Sequence, residues 1–320
     1  MASLERRPRR SFGRVATLNN VGNQASKLQA RERLTLIVCT RNRLPKLRAA
    51  IGCILSLRCR LPCQLVVVDN GSTDGTWQWL QSLESTPNFR INLVSEPTAG
   101  LSRARNTGVR HALGDIIAFT DDDCYPTESF LDDVLDAFSA GGIDYCGGRV
   151  LLHDPADLPV SINTSTTPRV FSPNSFIPAG VISGANMAFS RTLLDVVGAF
   201  DVGLGAGSVT RSAEDTDFLF RSSWCGFKGM YTPVLTVRHH HERRSSADRF
   251  SIAAAYDVGR GAYYAKHLLK RQTRLVMLKN WYWATDLRSK SGRGILLHEL
   301  CGAALYLWNL LGSRSRAAQR

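Results

Sequence analysis

Glycine is missing where a phosphate-binding loop would need it. The stretch after the first apolar run reads Thr40-Arg41-Asn42-Arg43-Leu44-Pro45. A loop that cradles phosphates with backbone N–H groups requires glycines there, so a nucleotidyltransferase built on such a loop is excluded. The eight cysteines form no C-x-x-C pair and no zinc-ligand spacing. With Cys39 and Cys124 in or beside apolar runs, they read as the reduced thiols of a cytosolic protein. RNA-recognition, zinc-finger and helix-turn-helix signatures are absent, which removes nucleic acid as a partner. Residues 1–32 are basic and lack an apolar run, predicting a flexible tail rather than a secretory signal. Acidic residues are scarce, 27 against 40 basic, for a formal net charge of +13. The remaining anionic partners are a phosphorylated substrate and an acidic membrane face.

A chain of 320 residues, 44% hydrophobic, can bury a full core as one large domain with or without an appendage. From residue 34 it alternates apolar runs (34–39, 64–69, 91–94, 115–120) with helical stretches (44–57, 74–83, 100–113). That order predicts an α/β fold, a parallel sheet with helices on both faces. Ligands in such sheets gather at the carboxyl ends of the strands. Thr40-Arg41-Asn42, Asp69-Asn70-Gly71-Ser72 and Asp121-Asp122-Asp123 all fall at those ends.

Three carboxylates in a row after the apolar run Ile116-Ile117-Ala118-Phe119-Thr120 are costly unless something cationic sits there. Strand alternation lets Asp121 and Asp123 converge on one ligand while Asp122 points away. A hard divalent cation that bridges substrate phosphates suits that pair. The competing reading is a solvated acidic turn ahead of a helix capped by Thr127.

After about residue 141 the pattern changes. Strands at 145–152 and 181–189 flank a Pro-, Ser- and Thr-rich loop over 154–178, unusually long for a compact domain. A helix over 213–224 and a strand at 235–237 follow, ending in His239-His240-His241. From residue 246 the chain reads as basic helices, with Lys266, Lys270, Arg271 and Arg274 near Tyr263, Tyr264, Trp281 and Trp283. The apolar stretch 294–312 is interrupted by His298 and Glu299, which favours an interfacial or packed helix over a span. The expected organisation is a tail (1–32), a catalytic domain (33–245) and a helical region (246–320) that meets an anionic membrane face.

Val-Cys-Thr-Arg-Asn-Arg, Val-Val-Val-Asp-Asn-Gly-Ser-Thr-Asp-Gly-Thr and Gly-Leu-Ser-Arg-Ala-Arg-Asn-Thr-Gly, then the aspartate triplet, Ser183-Gly184-Ala185-Asn186-Met187 and Ala213-Glu214-Asp215-Thr216-Asp217, follow one another in that order. The ordered set, covering 34–241, resembles the family-2 glycosyltransferases of the GT-A fold. The resemblance implies an inverting transfer from a nucleotide diphosphate sugar, with a uridine donor favoured, aided by Mn²⁺ or Mg²⁺. The acceptor would be a saccharide or lipid-linked hydroxyl in polysaccharide or glycolipid synthesis, at the inner face of the membrane.

The same resemblance assigns roles. Thr40, Arg41, Asn42, Asp69, Arg105, Asp121 and Asp122 would contact the nucleotide sugar, Asp69 on the base side and Arg105 toward the diphosphate. Asp123 would hold the metal with His239, His241 standing as the alternative, although a run of three histidines also reads as a plain polar patch. Gly184, Ala185, Asn186 and Glu214 would shape the donor-sugar and acceptor pocket. Asp215 would be the general base, at a helix start where the dipole favours a carboxylate, with Asp217 as fallback. The rival is a non-catalytic protein on the same fold that binds a nucleotide or a membrane. It predicts loss of the metal or base carboxylates, and both are intact.

Overall fold

In this computed structural model residues 33–284 and 289–318 are described, and the expected basic tail at 1–32 lies outside them. The chain first alternates β1 (Leu34–Thr40), α1 (Leu44–Leu55), β2 (Cys63–Asp69), α2 (Thr76–Leu80), β3 (Phe89–Ser95), α3 (Leu101–His111) and β4 (Ile116–Asp121). β2 is buried along its whole length and β1 nearly so, as in strands covered on both faces. Leu36 and Val38 point into one apolar layer and Ile37 into the other. These four strands pair in parallel, in the order β3-β2-β1-β4. Thr40 thereby lies opposite Asp69, and Cys39 opposite Asp121.

Two local features set the approach to those ends. α1 takes Pro45 in its first turn, where a missing N–H costs nothing. α3 seats Gly108 on the sheet, where a Cβ would come within 2.7 Å of Ile37 and 3.3 Å of Val68. Any side chain there would lift the helix and the Arg105 it carries.

The second half adds β5 (Cys124–Pro126), α4 (Phe130–Ser139), β6 (Tyr145–Leu152), β7 (Arg169–Phe171), β8 (Met187–Ser190), α5 (Arg191–Val197), α6 (Glu214–Trp224) and β9 (Gly229–His239). Among the described residues the sheet has nine strands, continuing from β4 through β8, β6, β9 and β5, with β7 on β9. β8 runs antiparallel to both β4 and β6, so the sheet is mixed rather than wholly parallel. The strand expected over 181–189 shrinks to β8. Residues ahead of it turn instead, with the Asn186 N–H bonding the Ser183 carbonyl at 2.9 Å. β9 is longer than expected because it bulges opposite Gly147 to Arg149 and so accommodates Pro233.

Three helices follow: α7 (Ser246–Leu268), α8 (Arg274–Ala284) and α9 (Lys290–Ala318). Ser245 and Asp248 close a reciprocal capping box on α7. α7 packs on α6 through Phe220, whose ring meets Tyr263 and His267 at 5.9 and 4.7 Å. α9 crosses α7 at a pair of glycines. A Cβ on Gly261 would run into the Glu299 backbone, and one on Gly302 into the Val258 backbone. Glu299 is buried there and accepts from Arg260 Nε (2.6 Å) and Trp281 Nε1 (2.7 Å). The other face of α9 carries Leu297, Leu300, Trp308 and Leu311 into solvent, Trp308 at 80% exposure.

Candidate active site

β4 ends at Asp121, and Asp122 and Asp123 turn the chain into β5. That turn breaks strand alternation after Asp121, so Asp122 does not point away from its neighbours. Asp122 and Asp123 instead share the fork of Arg43, at 2.7 and 2.6 Å. Asp121 faces Arg105 at 3.5 Å. Asp122 also accepts from Thr40 Oγ1 at 2.7 Å. Burial pushes its carboxyl up to about 6, against the pull of Arg43 and Thr40. Burial acts on Asp123 too, but His239 and Arg43 together hold its carboxyl well below the usual range. Arg43 was not singled out in the sequence. The signal for it was charge balance, because three strand-end carboxylates demand a cation.

β9 pairs with β5 so that His239 lies opposite Cys124. His239 Nε2 sits 3.2 Å from Asp123 Oδ1. One ligand atom each from Asp123, Cys124 and His239 lies within 4.8 Å of the others. Burial raises the Cys124 thiol well above its ordinary value, and a soft sulfur ligand suits a hard divalent cation poorly. His239 Nδ1 is buried without a hydrogen-bond partner among the described residues. A carboxylate and an imidazole that border the same cavity fit Mn²⁺ or Mg²⁺. His241 is committed elsewhere: Nε2 bonds the Leu158 carbonyl at 2.9 Å, and Nδ1 accepts from the Arg243 N–H at 3.0 Å.

A cavity of about 1080 Å³ opens over the strand ends. Thr40, Arg41, Arg105, Asp121, Asp122 and Asp123 border it. Two expected nucleotide contacts are held back from it. Asp69 is buried and accepts the Ser72 N–H at 3.2 Å, closing its own turn. Asn42 ties the β1 and β2 loops together, its Oδ1 accepting the Thr73 N–H at 2.7 Å. Arg41 is exposed and donates to the Asn70 carbonyl at 3.2 Å.

Across the cavity α6 begins from Ala213, which adopts φ 77°. Glu214 meets Arg105 Nη1 at 2.7 Å. Arg105 is 3% exposed and spends its fork on Glu214 and Asp121 beneath the cavity. Burial and the neighbouring Asp215 charge push Glu214 up to about 7, against Arg105. Asp215 borders the open cavity; its Oδ2 accepts the Gly184 N–H at 2.9 Å and its Oδ1 the Thr216 N–H at 2.6 Å. Gly184 is required because a Cβ would strike the Arg105 guanidinium. Ala185 also borders the cavity, whereas Asn186 is buried and bonds the Arg149 and Leu235 carbonyls at 2.9 and 3.1 Å. Asp217, the fallback base, is fully buried and paired with Arg221, Lys266 and His267 at 2.8, 2.8 and 2.9 Å. It cannot reach an acceptor.

The profile of "Glycosyl transferase family 2" matches residues 35–198, just over half of the chain. The glycosyltransferase AglE of Haloferax volcanii is 36% identical over 87 residues, 27% of this chain and 29% of that protein. The chain spans less than half the length of the curated relatives it matches. Among solved structures, the mannosyltransferase PcManGT from Pyrobaculum calidifontis, in complex with GDP-Man and Mn²⁺, superposes with a TM-score of 0.57 at 20% identity, covering 88% of each chain. Residues 1–349 of Staphylococcus aureus TarS, in complex with UDP-GlcNAc, superpose at 0.53 and 17% identity, covering 86% of this chain and 89% of that one. These two likenesses show a GT-A glycosyltransferase fold.

Proposed function

The chain belongs to glycosyl transferase family 2, and we propose that it moves a sugar from a nucleotide diphosphate sugar to a hydroxyl acceptor with inversion. One observation carries this reading. Asp215 offers a carboxylate, oriented by two backbone N–H groups, to the same cavity that the Asp123–His239 pair borders. An inverting displacement needs a base on the acceptor side and charge stabilisation on the leaving-group side. Asp215 takes the proton from the acceptor hydroxyl as its oxygen bonds the anomeric carbon. The bond from that carbon to the diphosphate breaks on the opposite face. Asp123 and His239 would hold Mn²⁺ or Mg²⁺, which supplies positive charge to the departing diphosphate. Arg105 acts beneath the reaction, fixing Glu214 and Asp121. PcManGT in complex with GDP-Man and Mn²⁺ supports a nucleotide-sugar donor and a divalent cation.

The test is thermal denaturation with a panel of nucleoside diphosphates, with and without Mn²⁺, on the parent and Asp123→Ala. One nucleotide is expected to raise the melting temperature only with metal and only in the parent, by about 2.7 kcal/mol of stabilisation at a hundredfold excess over Kd. A folded parent that no nucleotide stabilises would sink the reading.

The same proposal puts the protein at the cytoplasmic face of an anionic membrane. Gly292–Gly312 is long and apolar enough to cross a bilayer, but one face is anchored on α7 through Glu299 and Gly302. Its outer stripe of Leu297, Leu300, Trp308 and Leu311 is exposed, as are Leu275, Tyr282 and Trp283 of α8. Residues 246–320 hold thirteen Lys and Arg against four Asp and Glu, nine of the chain's thirteen net charges. An apolar face among cations suits an interfacial helix on acidic lipid. Vesicles containing phosphatidylglycerol are expected to pellet the protein at moderate salt, and Trp308→Glu to weaken this by about tenfold or more. Equal pelleting by the variant would refute the docking face.

A further inference from the structure

Beyond Asp215 the cavity continues to α7, and its charges there do not balance. On the strand side four carboxylates are paired with two guanidinium groups: Asp122 and Asp123 share Arg43, while Asp121 and Glu214 share Arg105. On the α7 side Arg211, Arg243, Tyr256 and Arg260 border the space. Arg260 is committed to Asp257 and Glu299. The side chains of Arg211 and Arg243 have no hydrogen bond or ion pair among the described residues, their backbones alone being bonded. Two unmatched guanidinium groups on a concave wall create a positive field that an anion would settle.

The backbone around them is held in unfavourable conformations. Arg211 has φ 68° and Ser161, on the facing loop, φ 58°. Such left-handed residues persist where the surroundings over-determine them, and they cluster at ligand sites. Here the surroundings are specific. Ser212 Oγ donates to the Ala255 carbonyl at 3.0 Å, pinning the Arg211 loop to α7. Gly259 makes this possible, because a Cβ would collide with Ser212. The Tyr256 and Ser161 hydroxyls bond to each other across the wall. The Tyr256 phenol lies within electrostatic reach of both Asp215 and Arg243.

We propose that this wall is an anion subsite for the acceptor, in which Arg211 and Arg243 take a phosphate or carboxylate borne by the molecule whose hydroxyl Asp215 deprotonates. This rests on the transferase reading above. The guanidinium fork matches either oxyanion group. A neutral saccharide would leave both arginines unmatched, so the subsite selects acidic acceptors over neutral ones.

The test uses the full chain loaded with the nucleotide and Mg²⁺ that stabilise it, titrated with glycerol phosphate, malonate or glycerol while melting temperature is followed. Glycerol phosphate or malonate is expected to give a saturable rise that glycerol does not. Arg211→Gln with Arg243→Gln is expected to weaken that response by about tenfold or more and leave stabilisation by the nucleotide unchanged. The single variants carry the test if the double variant does not fold. An undiminished anion response in the variants, or an equal response to glycerol, would overturn the proposal. Loss of nucleotide stabilisation in the variants would also overturn it, since the arginines would then hold the donor diphosphate. Pelleting by phosphatidylglycerol vesicles is expected to survive both substitutions. Its loss, with the glycerol phosphate response intact, would move the arginines to the lipid face. If no nucleotide stabilises the parent, the donor reading fails separately, and the anion titration of the free protein still reads the two arginines.

Discussion

Asp215→Asn is expected to lower sugar transfer by about 10²–10⁴-fold, the usual worth of a positioned general base. The substitution is nearly isosteric, and the amide oxygen can still accept the Gly184 or Thr216 N–H. Fold and donor binding should therefore persist, and nucleotide stabilisation in the presence of Mn²⁺ should match the parent. That split separates a chemical role from a structural one. Single-turnover assays with saturating donor and acceptor would read it directly. Activity within about tenfold of the parent would remove Asp215 from the reaction, since Asp217 is walled off by Arg221, Lys266 and His267 and cannot substitute.

Asp217→Ala is expected to be the most destabilising single change in the α6 region. Asp217 has no exposed surface and bonds three basic side chains, one from its own helix and two from α7. Removing one partner of a buried ionic cluster costs about 3–5 kcal/mol, because the remaining charge is left uncompensated. In a chain of this size that is a fall of roughly 10 °C in melting temperature. The pH dependence has a definite sign. Burial would raise the Asp217 carboxyl, but Arg221, Lys266 and His267 outweigh it and hold it well below the usual range. A carboxylate with a depressed native value stabilises the fold above the unfolded value of about 3.9. That contribution disappears only as pH falls through the depressed native value. The gap between parent and variant should therefore be full at neutral pH and close only in strong acid. Thermal melts from pH 7 downward check it, and a constant gap in strong acid would refute the ionic origin.

The first four strands were legible because each is a short, continuously buried, β-branched run with a polar strand end. Parallel pairing then fixed which ends meet, so Thr40, Asp121 and Asp123 could be brought together from the sequence. The later strands were harder to read. β8 and β5 are only four and three residues long, and β9 hides a bulge around Pro233 that no alternation pattern records. Of the side-chain pairings across long separations, the sequence brought Asp123 to His239 but not the pairings that involve basic residues outside the recognised strings. Arg43 reaches Asp122 and Asp123 from 79 and 80 residues away, and His267 reaches Asp217 from 50. The aspartate triplet was misread in one respect, since strand alternation was extended past Asp121 into a turn. Arg105, expected at the diphosphate, borders the cavity with its fork on Asp121 and Glu214, in room that Gly184 leaves for it.

The crossing of α7 and α9 at Gly261 and Gly302 makes α9 a gauge for α6, the helix that carries Asp215. Lys266 and His267 ride on α7 and end on Asp217, two residues past Asp215. A methyl group added to either glycine would wedge the two helices apart, and the displacement would be felt as a tilt of α6. Random mutagenesis of this protein should therefore yield inactive variants at two silent-looking glycines that touch neither donor nor acceptor.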